Sequence, residues 1–159
     1  MATIDLKQGG TTGQAAYNNN ALPETLDIHF TASEAAAAKG SALVAADIIQ
    51  VLTIPAGSVL SQATIEVTVA DTGTTLTMDL GDATAVDEWV DGGDATATGF
   101  FAQGTNGIFD QRKLYTSADT LFVTLATLTS ANDDWEARVT CQIVDVNGNG
   151  RPKAAKDNI

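Results

Sequence analysis

The chain is short of the residues that usually carry chemistry. Its 159 residues include one cysteine, Cys141, and one histidine, His29. A single thiol cannot close an intrachain disulfide, which excludes a disulfide-stapled secreted scaffold. Cations are scarce as well. Eight Lys and Arg stand against 20 Asp and Glu, a formal net charge of −12, and no Lys or Arg occurs between residues 40 and 111. Neutralising phosphates needs a basic face, so the composition speaks against nucleic acid as a partner. No apolar run approaches the roughly 18 residues of a membrane-spanning helix. Met1–Leu6 has neither the basic nor the apolar region of a cleaved signal, so a soluble chain without a membrane partner is expected. The spacing of a P-loop, a dinucleotide fingerprint or a zinc site is missing, and no cofactor or metal is expected.

Small neutral residues are plentiful. With 26 Ala, 22 Thr and only 18% charged residues, much of the surface must be neutral. Such a composition suits a protein partly covered by neighbours. A chain this long fits one domain and can bury roughly 70% of its unfolded surface.

Period-2 alternation dominates the middle of the chain. Leu26, Ile28 and Phe30 alternate with Asp27 and His29, and Ile65, Val67 and Val69 with Glu66 and Thr68. Leu76, Met78 and Leu80 follow the same rule, as do Trp135, Ala137, Val139, Cys141 and Ile143. Residues 48–54 and 121–125 are apolar on both faces, the mark of central or interface strands. Thr31-Ala32-Ser33-Glu34 is a capping box followed by four alanines, Lys39 and Gly40, which predicts one helix of two turns. The expected fold is all-β, a single-domain sandwich or jelly roll of seven or eight short strands with one or two short helices at most. Residues 1–23 read as an extended arm, 24–146 as the β domain and 147–159 as a polar basic tail.

Several local patterns have both a chemical and a plain reading. Asp71-Thr72-Gly73-Thr74, after Val69-Ala70, matches the signature of aspartic proteases, in which two carboxylates share one proton. As a lone carboxylate, Asp71 would serve only in a homodimer; the plain reading is a hairpin turn between 64–70 and 75–80. Asp145-Val146-Asn147-Gly148-Asn149-Gly150 matches the start of a calcium loop, but Lys153 and Lys156 stand where anionic ligands belong, which favours a polar exit from the last strand. Asp71, Asp79, Asp82, Asp87, Glu88, Asp91 and Asp94 form an acidic stretch suited to solubility, with a divalent cation as the alternative. His29 falls on the polar side of a strand with no triad around it. Cys141 and Trp135 fall in phase with core positions. Trp89, among acids, is the candidate for an exposed sugar-stacking or interface aromatic, with Tyr115, Phe100 and Phe101 as further aromatics.

A set of phrases in a fixed order resembles the small structural proteins of tailed phages, especially cyanobacterial and marine ones. They are the strand 46–54 closed by Ile54-Pro55-Ala56-Gly57, then Thr77-Met78-Asp79-Leu80-Gly81-Asp82, then Asp87-Glu88-Trp89-Val90-Asp91-Gly92, and then 113–120. The resemblance covers roughly 46–146. It implies a jelly-roll-like domain in the virion, most often a capsid decoration (cement) protein that trimerises at three-fold positions, and it carries over no functional residue. The expected function is therefore non-catalytic. The protein would be made in the host cytoplasm and bind the outside of the assembled head, with the major capsid protein and its own copies in a homotrimer as partners. Thr3, Leu6, Gln8, Thr11, Gln14 and Tyr17 of the arm, with Arg151 and Lys153 of the tail, are the expected capsid contacts. Ile49, Val51 and Trp89 are the expected subunit interface. A carbohydrate- or receptor-binding module of a tail or fibre is the alternative, and a homodimeric protease using Asp71 is a remote one.

Overall fold

A computed structural model describes residues 1–6, 24–102, 112–129 and 134–145. The elements run β1 (Thr3–Asp5), β2 (Glu24–Thr31), α1 (Ala32–Lys39), β3 (Ile48–Ile54), β4 (Ser58–Val69), β5 (Thr75–Gly81), β6 (Val90–Asp94), β7 (Gly99–Ala102), β8 (Lys113–Tyr115), β9 (Asp119–Thr129) and β10 (Glu136–Asp145). One sheet has the order β1-β3-β9-β5-β6 and the other β2-β10-β4-β7, with β8 pairing beside β7 on β4. The result is an all-β sandwich of one domain with one short helix. Most steps along the chain change sheet, from β2 to β3, β3 to β4, β4 to β5, β6 to β7, and β8 to β10 through β9. This interleaving lets every strand present its apolar side to the same central layer.

Alternation becomes burial in a direct way. In β10, Ala137, Val139, Cys141 and Ile143 all point inward, opposite Val67, Ile65, Ala63 and Leu60 of β4. On the other flank of β10, Phe30, Ile28 and Leu26 of β2 face the same residues of that strand. Trp135, just before β10, meets the Phe30 ring edge-on at 5.8 Å, a favoured aromatic geometry. Four antiparallel pairings carry register shifts, including β4–β10 and β5–β9. Such bulges bend and twist long strands so that two sheets can wrap one core.

The helix forms where the capping box places it. The Thr31 hydroxyl accepts from the Glu34 amide, the Glu34 carboxylate accepts from the Thr31 amide, and Gly40 ends the helix with φ 76°. A left-handed C-cap at that angle favours glycine. Among the described residues no helix is long and apolar enough to cross a membrane.

Three expectations change. The described residues form ten strands where about seven or eight were expected, because β1, β6, β7 and β8 are short or Gly-rich and show little alternation. The first residues are not all arm: Thr3–Asp5 pair in parallel with Ile48–Gln50 and extend the sheet, and Ile4 is buried in the core. The segment at Asp71 is not a hairpin turn, since β4 and β5 lie in different sheets and residues 70–74 cross between them.

Candidate functional site

The described residues concentrate their polar chemistry in three places, each built around a buried aspartate. Asp47 precedes β3, and its side chain is fully buried. It accepts from Lys39 Nζ at 2.6 Å, the Val44 amide at 2.9 Å and the Ala2 amide at 2.8 Å. Burial alone pushes its carboxyl up; the Lys39 ammonium and the two amides outweigh that and hold it below the ordinary carboxylate value. This aspartate joins the N-terminal strand, the end of α1 and the start of β3.

Asp82 occupies the equivalent place after β5. It accepts from Lys113 Nζ at 2.7 and 2.9 Å, from the Tyr115 hydroxyl at 2.5 Å and from the Thr84 amide at 2.8 Å. Burial again works against the charge, and Lys113 and Tyr115 overcome it, so Asp82 is held low. The Tyr115 phenol moves the other way, raised by burial and by the Asp82 carboxylate. Lys113 thereby serves as the internal counter-ion of the acidic stretch, with Glu88 also within 3.7 Å.

The third place holds Asp71. Its side chain is buried and accepts from the Gly73 amide at 3.0 Å. Asp134 accepts from the Thr72 hydroxyl at 2.6 Å and the Thr72 amide at 3.1 Å, which hold its carboxyl low, and it lies beside Asp71. The view of Asp71 as a carboxylate with no acidic neighbour is therefore corrected. Asp134 stands 63 positions away in sequence and is brought to it only by the sandwich.

Ile49, Val51 and Trp89 are not surface residues. They are 0%, 1% and 1% exposed in the isolated chain, so their side chains are closed to a neighbouring copy. In β3 the two-sided apolar pattern divides into Ile49, Val51 and Ile54 buried in the core, Leu52 half-buried and packed against it past the register shift, and Ile48 half-buried. Trp89 is drawn inside because its amide bonds the Leu80 carbonyl, which sets residue 89 against β5. The sugar-stacking set loses Trp89 and Tyr115 to the core, and Phe100, at 63% exposed, is the open aromatic among the described residues. Thr3 is exposed and Leu6 packs on the core. Gln8, Thr11, Gln14, Tyr17, Arg151 and Lys153 lie outside the described residues, as does the calcium-loop pattern beyond Asp145.

The other candidates are structural. Cys141 is buried, which pushes its thiol up to about 12. His29 is on the outer face with Nε2 3.2 Å from Glu136. Asp79 is raised by burial and by Asp91 and Asp87, against a single amide bond from Gly92. Among the described residues no group of three or more His, Cys, Asp or Glu is arranged to hold a metal ion.

Sequence reasoning missed the outer face of the second sheet. His29, Arg138, Glu66 and Phe100 form one cross-strand row, and Val59 pairs with Leu114 and with Val144 in another. Leu114 is 54% exposed. Their signal was weak because β7 and β8 are only four and three residues long.

No family model matches the chain, and no curated protein matches it. Solved structures do. A chain of the capsid of Ralstonia phage GP4 has a TM-score of 0.56 at 17% identity, covering 90% of this chain and 97% of that one. A chain of the cyanophage Pam1 capsid asymmetric unit gives 0.55 at 16% identity, covering 87% and 94%. A chain of the acid-stable capsid of Helicobacter pylori bacteriophage KHP30 gives 0.53 at 12%, covering 77% and 87%. At these identities the likeness is one of fold, shared over 77–90% of this chain.

Proposed function

We propose that the chain is a structural protein of a phage virion, a decoration (cement) protein that binds the outside of the assembled head as a homotrimer. The observation that carries the reading is a fold shared with chains of three phage capsids over 77–90% of this chain, and over 97% of the Ralstonia phage chain. The strand order supports it. Without β1 and β8, the strands numbered one to eight lie 1-8-3-6 over 2-7-4-5, the winding of a double-sheet jelly roll, an architecture used by viral capsid and lectin domains. The buried aspartates support a non-catalytic role, because Asp47 and Asp82 are spent on internal ion pairs and Asp71 is 3% exposed. A net charge of −12 keeps many copies apart before assembly.

Its work would be clamping. A trimer seated over a junction of capsid subunits binds only the assembled shell and stabilises that state by mass action. Three linked footprints raise avidity without new kinds of contact. The test is co-sedimentation of the full-length protein with heads of its own phage assembled without it. Saturable binding and a higher temperature of head disruption are expected. Failure to co-sediment at tens of micromolar would overturn the reading.

A further inference from the structure

The N-terminal strand is held in a cradle made entirely by a different part of the chain. Ile48 donates to the Ala2 carbonyl at 2.8 Å, and the Leu6 amide donates to the Gln50 carbonyl at 3.0 Å. Ile4 is 2% exposed and part of the core. The fully buried Asp47 carboxylate accepts the Ala2 amide at 2.8 Å. The cradle therefore has four parts: an open strand edge, a socket for one branched side chain, a buried carboxylate and the flank of α1. Without an occupant, β3 would be a bare sheet edge, the kind of surface that recruits another chain.

Seventeen residues separate Leu6 from Glu24, the start of β2. Connections in compact domains are usually far shorter. At about 3.3 Å per residue, this one spans up to about 56 Å. The diameter of a domain of this size is about 39 Å by the scaling of its radius of gyration. A second copy's β3 edge thus lies within reach.

We propose that the Met1–Leu6 segment is a donated strand: in the assembled protein it occupies the β3 edge of a second copy of the chain, and that copy's segment is passed on in turn. The contacts are the same whichever copy supplies the strand, so exchange costs little beyond the path of the connection. It ties the copies together through the backbone, by strand addition with Ile4 as the anchor. A parallel three-residue strand is too short to hold copies alone, but in a closed ring each copy is held twice, as donor and as acceptor. The inference needs a second copy and no capsid. A protein that exchanges strands yet fails to bind heads would overturn the decoration reading alone.

The test uses the Thr3–Ile48 pair, which are register partners. Thr3→Cys and Ile48→Cys are made in separate full-length chains and also together in one chain. The two single variants are mixed, unfolded and refolded together at high micromolar concentration, oxidised, and run on a non-reducing gel. The native Cys141 is buried, and each single variant oxidised alone controls for it. Exchange predicts a linked dimer band in the mixture and a ladder of linked chains from the double variant. A double variant that oxidises fully at monomer mass, with no band from the mixture, would overturn the proposal. Thiols that stay free in both preparations would overturn it too, because β1 would then not occupy the β3 edge.

Discussion

Replacing Asp47 by Asn tests whether one buried carboxylate holds three segments together. The side chain keeps its shape and loses its charge. The carboxylate now accepts from Lys39 Nζ, the Val44 amide and the Ala2 amide. An Asn side chain has only one acceptor oxygen, so its NH2 group must face at least one of those donors. Removing one partner of a buried ion pair costs about 3–5 kcal/mol. Lys39 is 12% exposed and also donates to the Ala42 carbonyl, so its ammonium keeps one partner and can turn toward water. That places the expected cost at the low end, about 3 kcal/mol at pH 7. For a chain of this size, 3 kcal/mol corresponds to a fall of about 6–12 °C in Tm. The pH dependence follows from the sign of the shift. Asp47 is held below its ordinary value, so its stabilisation is complete above the unfolded pKa and is lost as pH falls through the folded pKa. Scanning calorimetry of wild type and Asp47→Asn at pH 7 and near pH 2 is the assay. The gap between them should be wide at pH 7 and narrow at the acid end. Hydrogen exchange at the Leu6 and Ile48 amides should speed up in the variant, because both bonds belong to the strand that Asp47 anchors. A Tm within 2 °C of wild type at pH 7 would refute the argument.

Two further outcomes follow from the packing. A Cβ at Gly81 would lie 2.1 Å from the Ala85 carbonyl oxygen and 2.3 Å from the Val86 carbonyl carbon, both backbone atoms. Gly81→Ala should therefore cost about 3 kcal/mol, seen as a lower midpoint in urea with an unchanged m-value; a midpoint equal to wild type would show that the 82–89 loop yields freely. The Cys141 thiol should resist a thiol-reactive dye at pH 8 until the protein unfolds, because its pKa is pushed up to about 12. By linkage, stability should fall as pH rises above about 8.5, where the unfolded thiol ionises and the folded one does not; rapid labelling of the native protein would contradict its burial.

Much of the sandwich is legible in the sequence because a strand with one buried face writes its period into the residues. Leu26, Ile28 and Phe30 are buried and Asp27 and His29 exposed, as their alternation requires, and β10 keeps every expected core residue. The helix is equally local: its capping box, alanines and Gly40 lie within ten residues. β1 was not legible, because a three-residue strand has no measurable period and exists only on the β3 edge. Ile49 and Val51 read in the sequence as interface residues because a strand apolar on both sides does not say which side meets its own core.

What the sequence determined by itself is the class of the fold, the helix and the inward face of the alternating strands, all of which depend on neighbours two to four residues apart. What only the tertiary structure decided is which acids are buried and with whom. Asp47 finds Lys39 and Ala2, Asp82 finds Lys113 and Tyr115, and Asp71 finds Asp134. Most of these partners stand 31 to 63 positions apart, and Lys39, eight positions from Asp47, is beyond the reach of a local pattern as well. An aspartate between small residues looks alike in sequence whether it faces water or a lysine. The difference is set by which strands the sandwich lays side by side, and that depends on the packing of the whole core.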